Sequence, residues 1–203
     1  MLDADLVSFV MGALPPAPAR VLEIGAGSGE LAEHLRAHDY DVLAIDPTGS
    51  PPGVTPVALN DVDAPAGRFA AAVAVLSLHH VEPLTDSCRR LAELMPPGGV
   101  LVIDEFDIAA FDVTAAHWRL DRRYADDAER AHAKAMVNDL HAHLHPVAKV
   151  LAALGTWFEF GELERGPYLY RWGLTPETRA AEEEAIASGE LAATGARVVG
   201  QRL

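Results

Sequence analysis

Three groups of residues in this chain are of types and spacings that could do chemistry. Glu23 stands two residues ahead of Gly25, Gly27 and Gly29, Asp46 closes the next apolar run, and His79 and His80 follow a third. Glycine has no Cβ and tolerates positive φ, so the loop Gly25-Ala26-Gly27-Ser28-Gly29 lets backbone come within touching distance of a ligand. A helix opening at Glu30 would aim unpaired N–H groups at the same spot, where an anionic group is welcome. A carboxylate at the tip of the second strand, Asp46, can accept both hydroxyls of a ribose. Histidine titrates near neutrality, so either His79 or His80 could take a proton from a hydroxyl or phenol.

Elements that would carry these residues alternate along the chain. Leu2, Leu6, Phe9, Val10 and Leu14 recur at helical spacing until Pro15 to Pro18 stop the pattern. Strands are expected at Arg20–Gly25, Asp41–Ile45, Val54–Leu59, Phe69–Leu78 and Val100–Ile103, and helices at Glu30–His38 and Pro83–Met95, with a Pro/Gly turn at Gly49–Gly53. The run Phe69–Leu78 is almost unbroken Ala, Val and Leu, as expected of a strand covered on both faces of a parallel sheet. Five βα alternations without an internal repeat imply a doubly wound sheet whose ligands lie at the carboxyl ends of its strands. Gly25–Gly29, Asp46, Asp61, Ser77–His80 and Asp104-Glu105 all fall at those ends.

The glycine pattern departs from the dinucleotide fingerprint Gly-x-Gly-x-x-Gly, since Glu30 occupies the place of its last glycine. Glu-x-Gly-x-Gly-x-Gly instead closely resembles the first motif of class I S-adenosylmethionine-dependent methyltransferases of small-molecule type. Leu94-x-Pro96-Pro97-Gly98-Gly99-x-Leu101 and Ser77-Leu78-His79-His80-Val81 are similar to that family's approach to the fifth strand and its loop after the fourth. The acid that the family usually places right after Phe69 is Ala70 here. The resemblance implies an α/β, doubly wound, mostly parallel seven-stranded Rossmann-like sheet ending in an antiparallel pair. It further implies that Gly25, Ala26, Gly27 and Gly29 lie along the methionyl part of S-adenosyl-L-methionine and that Glu23 meets its ammonium. Ser77 would border the site, and Asp61 with Val62 would hold the adenine, Asp63 being close enough to compete. S-adenosyl-L-homocysteine would be the product, and direct in-line displacement requires no covalent residue.

Beyond residue 105 the resemblance is architectural. Phe111 to His145 forms a charged insert with helices expected at Val113–Tyr124 and Asp126–Leu140, read as a lid over the site within one 203-residue domain. A helix at Leu144–Leu154, a strand at Trp157–Leu163, a helix capped by Thr175 with Pro176 in its first position, and a strand at Thr194–Leu203 follow. Tyr168, Tyr170 and Trp172 alternate, as packing within a sheet requires; Glu182 to Glu184 read as a solvated helix face. His141, His143 and His145 lack a carboxylate or cysteine group beside them, and no metal is expected.

Thirty acids against 16 bases, a net charge of −14, repel polyanions and disfavour nucleic-acid partners. No apolar run approaches the ~18 residues of a membrane span and no leader is evident, so a cytoplasmic protein without a membrane partner is expected; the single cysteine, Cys88, suits a reducing compartment. Two other readings of the same residues are a nicotinamide-dinucleotide oxidoreductase, which Glu30 opposes, and a non-catalytic partner of the same fold, which the intact glycine loop and Asp46 oppose.

Overall fold

A computed structural model describes residues 2–49 and 51–203; Ser50, in the expected Pro/Gly turn, lies outside the described residues. In chain order the elements are α1 (Ala4–Ala13), β1 (Arg20–Ile24), α2 (Glu30–Arg36), β2 (Asp41–Ile45), β3 (Val54–Thr55), β4 (Ala71–Val75), α3 (Leu84–Leu94) and β5 (Val100–Phe106). There follow α4 (Val113–Arg122), α5 (Asp127–Ala131), α6 (Ala133–His143), α7 (Val147–Leu154), β6 (Phe158–Phe160), β7 (Glu164–Gly166), α8 (Thr178–Ser188) and β8 (Gly195–Arg202). They form two compact units. One comprises Met1–Glu105, Val150–Leu163 and Arg197–Leu203, the other Phe106–Lys149 and Glu164–Ala196.

The sheet is doubly wound and has eight strands, one more than expected, in the order β3-β2-β1-β4-β5-β8-β6 with β7 paired to β8. β1 to β5 pair in parallel, while β6 runs antiparallel to β8, the terminal pair expected of the resemblance. Successive residues of each central strand enter opposite cores: Leu22, Ile24, Ala72, Ala74, Leu101 and Ile103 pack with α3 and α7, while Val21, Ala71, Val73 and Val102 pack with α1 and α2. Both faces are thereby covered, and this is why the strands read as unbroken apolar runs.

Several strands end elsewhere than their sequence patterns do. β3 stops at Thr55 because Pro56 has no N–H to give the ladder. β4 ends at Val75 because Leu76 turns to a positive φ of 53°. β5 runs three residues past the expected end and carries Asp104 and Glu105 within it. Among the described residues, no helix is long and apolar enough to cross a membrane.

In the second unit α4, α5 and α6 occupy the expected insert, with Asp126 and Glu129 forming a reciprocal cap at the start of α5. Three expectations fail here. Glu182 is not on a solvated face: it is 1% exposed, and its carboxylate accepts the N–H groups of Tyr168 (2.7 Å), Leu169 (2.8 Å) and Tyr170 (2.8 Å). Those three bonds wind residues 169–171 into a 3-10 turn, so Tyr168, Tyr170 and Trp172 do not form a strand. Thr175 does not cap α8 with its side chain; its carbonyl accepts from Thr178, where the helix begins.

Removing the Glu182 carboxylate strands three backbone donors, each costing about 1–3 kcal/mol when buried. Glu182→Ala is therefore expected to lower stability by roughly 2–4 kcal/mol in urea unfolding. Glu183→Ala, which breaks only an exposed i,i+4 pair with Arg179, should change it by less than about 0.5 kcal/mol. Equal effects would show that the turn does not depend on this carboxylate.

Candidate functional site

The first unit's site begins where β1 ends. Gly25 and Ala26 both donate to the carbonyl of Ile45 at 2.9 Å, which ties the glycine loop to the tip of β2. Gly25 adopts φ 70°, and a Cβ there would stand 2.3 Å from the Ser77 Cβ. Only glycine allows the β1 and β4 loops to come this close. At Gly27 (φ 52°) an added Cβ would meet nothing within 4 Å, so the space beside it is open.

Asp46 joins the two loops. Its Oδ2 accepts the Gly27 N–H at 2.9 Å and its Oδ1 accepts the Thr48 N–H (2.8 Å) and hydroxyl (2.7 Å). Burial pushes this carboxyl up, but the bonds from Thr48, Gly27 and Gly49 outweigh burial and hold it below the usual carboxylate range. It stays ionised at neutral pH.

A cavity of about 550 Å³ opens at these strand ends, between Asp46 and Thr48 on one side, Val57 to Asn60 on another, and Leu76, Ser77, His80 and Val81 on a third. This is ample for a nucleoside-sized ligand. Of the residues singled out in the sequence, Gly25, Asp46, Ser77 and His80 line it. Ala26, Gly27 and Gly29 form the adjoining loop.

Asp61 and Val62 do not line the cavity: Asp61 is exposed, Val62 is buried in the core, and both backbone N–H groups are spent within the 3-10 turn over Leu59–Asp61. Asn60, one residue earlier, is the polar side chain that this turn presents to the cavity. Its amide donates to Ser87 Oγ at 2.9 Å, which leaves the Asn60 carbonyl oxygen as an acceptor. The adjacent Asn60-Asp61 pair was the sequence signal, but a one-residue choice within a turn is invisible without the turn.

The two histidines are held differently. His79 is 6% exposed and its Nδ1 bonds Glu105 Oε2. The other oxygen of Glu105, itself 1% exposed, accepts the N–H groups of Ser77 (2.9 Å) and Leu78 (2.6 Å). Glu105 thus fixes the whole loop after β4, a role that its place at a strand end did not reveal. His80, by contrast, is exposed and faces the cavity; burial, then the neighbouring His79, lowers its pKa, while Glu105 opposes the shift. A neutral His80 can accept a proton at pH 7.

Two buried polar atoms in this unit have no protein partner among the described residues, Glu23 Oε2 and Ser77 Oγ. Burial drives the Glu23 carboxyl up to about 7, with the charge of Arg36 opposing the rise. A cationic group brought to Glu23 would satisfy the orphaned oxygen and ionise the acid. His141 and His143 bond backbone carbonyls of Phe111 and Asp139, and His145 meets Lys149.

A doubly wound sheet with a glycine loop and a ribose-competent acid at its switch point defines a nucleotide-cofactor-binding fold. Comparison with known proteins makes this specific. The sequence model of the family described as "Methyltransferase domain" matches residues 3–159, and the chain belongs to this family, the S-adenosylmethionine-dependent methyltransferases. Over 117 residues the chain is 31% identical to ubiquinone biosynthesis O-methyltransferase of Xanthomonas axonopodis pv. citri (strain 306), covering 50% of this chain and 49% of that protein. The chain thus spans about half the length of this curated relative. The fold is shared with an S-adenosylmethionine-dependent methyltransferase of Mesorhizobium loti, at TM-score 0.62 and 19% identity over 95% of either chain. It is also shared with geranyl diphosphate C-methyltransferase of Streptomyces coelicolor A3(2), at TM-score 0.65 and 14% identity over 98% of this chain and 80% of that one.

Glu23 generates a prediction about pH. Its folded-state value of about 7 lies above the ordinary 4.5, so between these values the folded chain keeps a proton that the unfolded chain has released. Its contribution to stability therefore falls as pH rises from about 4.5 to 7 and is flat above that, by up to about 3 kcal/mol in all. Glu23→Gln, neutral throughout, should gain on the wild type between pH 5 and 7.5 in urea unfolding. Parallel profiles would show that Glu23 is not the group that burial perturbs.

Proposed function

We propose that this protein transfers the methyl group of S-adenosylmethionine to an oxygen or nitrogen nucleophile of a small-molecule acceptor by direct in-line displacement. The observation that carries the reading is the cavity at the carboxyl ends of β1, β2 and β4, bordered by Asp46 and opening beside Gly27. When bound, the cofactor supplies an electrophilic methyl carbon attached to a sulfonium. The chain's own work is to bind, orient and exclude water, and orientation alone can supply about 7–11 kcal/mol.

In this reading Glu23 receives the ammonium, which its orphaned oxygen favours, and Asp46 receives the ribose hydroxyls on lone pairs left by Gly27 and Thr48. The Asn60 carbonyl oxygen takes the adenine amino group in place of Asp61. His80 accepts the acceptor's proton where the nucleophile is a hydroxyl, and His79 with Glu105 positions it. The oxygen acceptor of the Xanthomonas relative supports oxygen chemistry here. We assign the insert 111–145 to acceptor binding, since long charged insertions of this kind are usually functional. The net charge of −14 argues against a polyanionic acceptor, and the lone buried Cys88 is compatible with a cytoplasmic setting.

Calorimetry with S-adenosylhomocysteine tests the reading. The wild type should bind it in preference to NADH, and Gly27→Val, which puts a branched side chain into the open space, should weaken binding more than tenfold with the fold intact by circular dichroism. Asp46→Ala should cost about 1.5–3 kcal/mol, roughly 10–100-fold, for the lost bonds to a charged acceptor. At pH 6 binding should release a proton from Glu23, and Glu23→Gln should abolish that release. NADH binding in place of the product would select an oxidoreductase, and failure to bind either would select a non-catalytic partner.

A further inference from the structure

On the 57–60 wall of the cavity Asn60 is the one polar side chain, and its amide is held from behind. Nδ2 of Asn60 donates to Ser87 Oγ at 2.9 Å, 27 positions along the chain. Ser87, on α3, is 1% exposed, and its hydroxyl donates to the Pro83 carbonyl at 2.9 Å. A hydroxyl has one proton; given to Pro83, it leaves Oγ only lone pairs to offer Asn60. The NH2 end of the amide is the end that can meet them, so the carbonyl end is left for the cavity. Reversed, the amide would set oxygen against an oxygen with no proton to give, or Ser87 would have to leave Pro83 to reach it. Either way one hydrogen bond is lost.

The frame around this relay is fixed. Leu59 and Val62, on either side of Asn60, are buried in one core with Leu84, Cys88 and Leu91 of α3. The Pro83 carbonyl also accepts the Ser87 N–H at 3.1 Å, so it belongs to the first turn of α3. The N–H groups of Asp61 and Val62 go to the carbonyls of Ala58 (2.9 Å) and Leu59 (3.4 Å), and so neither offers the ligand a donor. A purine edge brought against Asn60 therefore meets an acceptor. An exocyclic amino group can donate to it, whereas a carbonyl in the same place would stand oxygen to oxygen unless Asn60 reversed and broke its bond to Ser87.

We infer that Ser87 is a positioning residue: through Asn60 it makes the cavity selective for a purine bearing an exocyclic amino group over one bearing a carbonyl there. This rests on the methyltransferase reading, in which Asn60 faces the adenine. Ser87 itself gives the ligand nothing, since its proton is spent on Pro83.

The test is calorimetry of the full chain at pH 8 with S-adenosylhomocysteine and with S-inosylhomocysteine, which differ in that exocyclic group. The wild type should bind the adenosyl compound about tenfold or more tightly than the inosyl one. Ser87→Ala, which frees the amide to reverse, should lower that ratio by about threefold or more, as expected for one neutral hydrogen bond. A serine that merely packs α3 would, when removed, weaken both ligands alike and leave the ratio unchanged. Asn60→Asp supplies the control, because a carboxylate has two like oxygens and no orientation to hold. In that background Ser87→Ala should move the ratio by less than about twofold, an effect too small for a lost hydrogen bond. Equal binding of the two compounds by the wild type, an unchanged ratio in Ser87→Ala, or the same fall in both backgrounds would overturn the assignment while leaving the methyltransferase reading in place. Failure of S-adenosylhomocysteine to bind the wild type would sink that reading, and adenosine against inosine would then judge the base preference directly, with binding of neither overturning the assignment too.

Discussion

At Gly25 no side chain can fit. The β1 backbone turns left-handed within reach of Ser77, and the same residue hands its N–H to Ile45, so three strand ends converge on one atom-sized gap. That convergence brings Asp46, the 57–60 segment and the 77–80 loop around a single cavity. A larger residue would push β1 and β4 apart, and Asp46, Asn60 and His80 would no longer line one cavity. The geometry thus rests on an absence of atoms, held in place by backbone hydrogen bonds.

Buried carboxylates do the rest of the positioning, and they do it by accepting backbone N–H groups instead of pairing with surface cations. Glu105 takes two N–H groups and a histidine in the first unit; Glu182 takes three N–H groups in the second. Charge-assisted bonds of this kind are stronger than neutral ones and are shielded from solvent here. Each fixes an irregular segment that lacks a strand or helix to hold it, and such segments are where ligand-binding groups concentrate. Glu23 is the opposite case, a buried carboxylate with an oxygen left unsatisfied. The satisfied acids build the frame.

The parts legible in the sequence were those encoded by neighbours in the chain. The unbroken apolar strands, the glycine loop and Asp46 at the tip of β2 carry local signals, and the fold and part of the cavity's lining follow from them. The clamps were not legible, because Glu105 and Glu182 grip residues 26–28 and 12–14 positions away and nothing near either marks the partner. Asn60 lines the cavity and Asp61 does not, because a 3-10 turn decides which of two adjacent polar residues faces inward. The division into two units was also hidden, since the chain returns to the first unit at Val150 and leaves it again after Leu163.

The most direct test of the central claim, that these strand ends form one methyl-donor site, is a crystal structure of the chain with S-adenosylhomocysteine. The account predicts its ribose hydroxyls on Asp46, its ammonium within hydrogen-bond distance of Glu23 and its adenine beside Asn60, with His80 facing the sulfur side. Product bound elsewhere, or bound here with Asp46 and Glu23 both uninvolved, would contradict it.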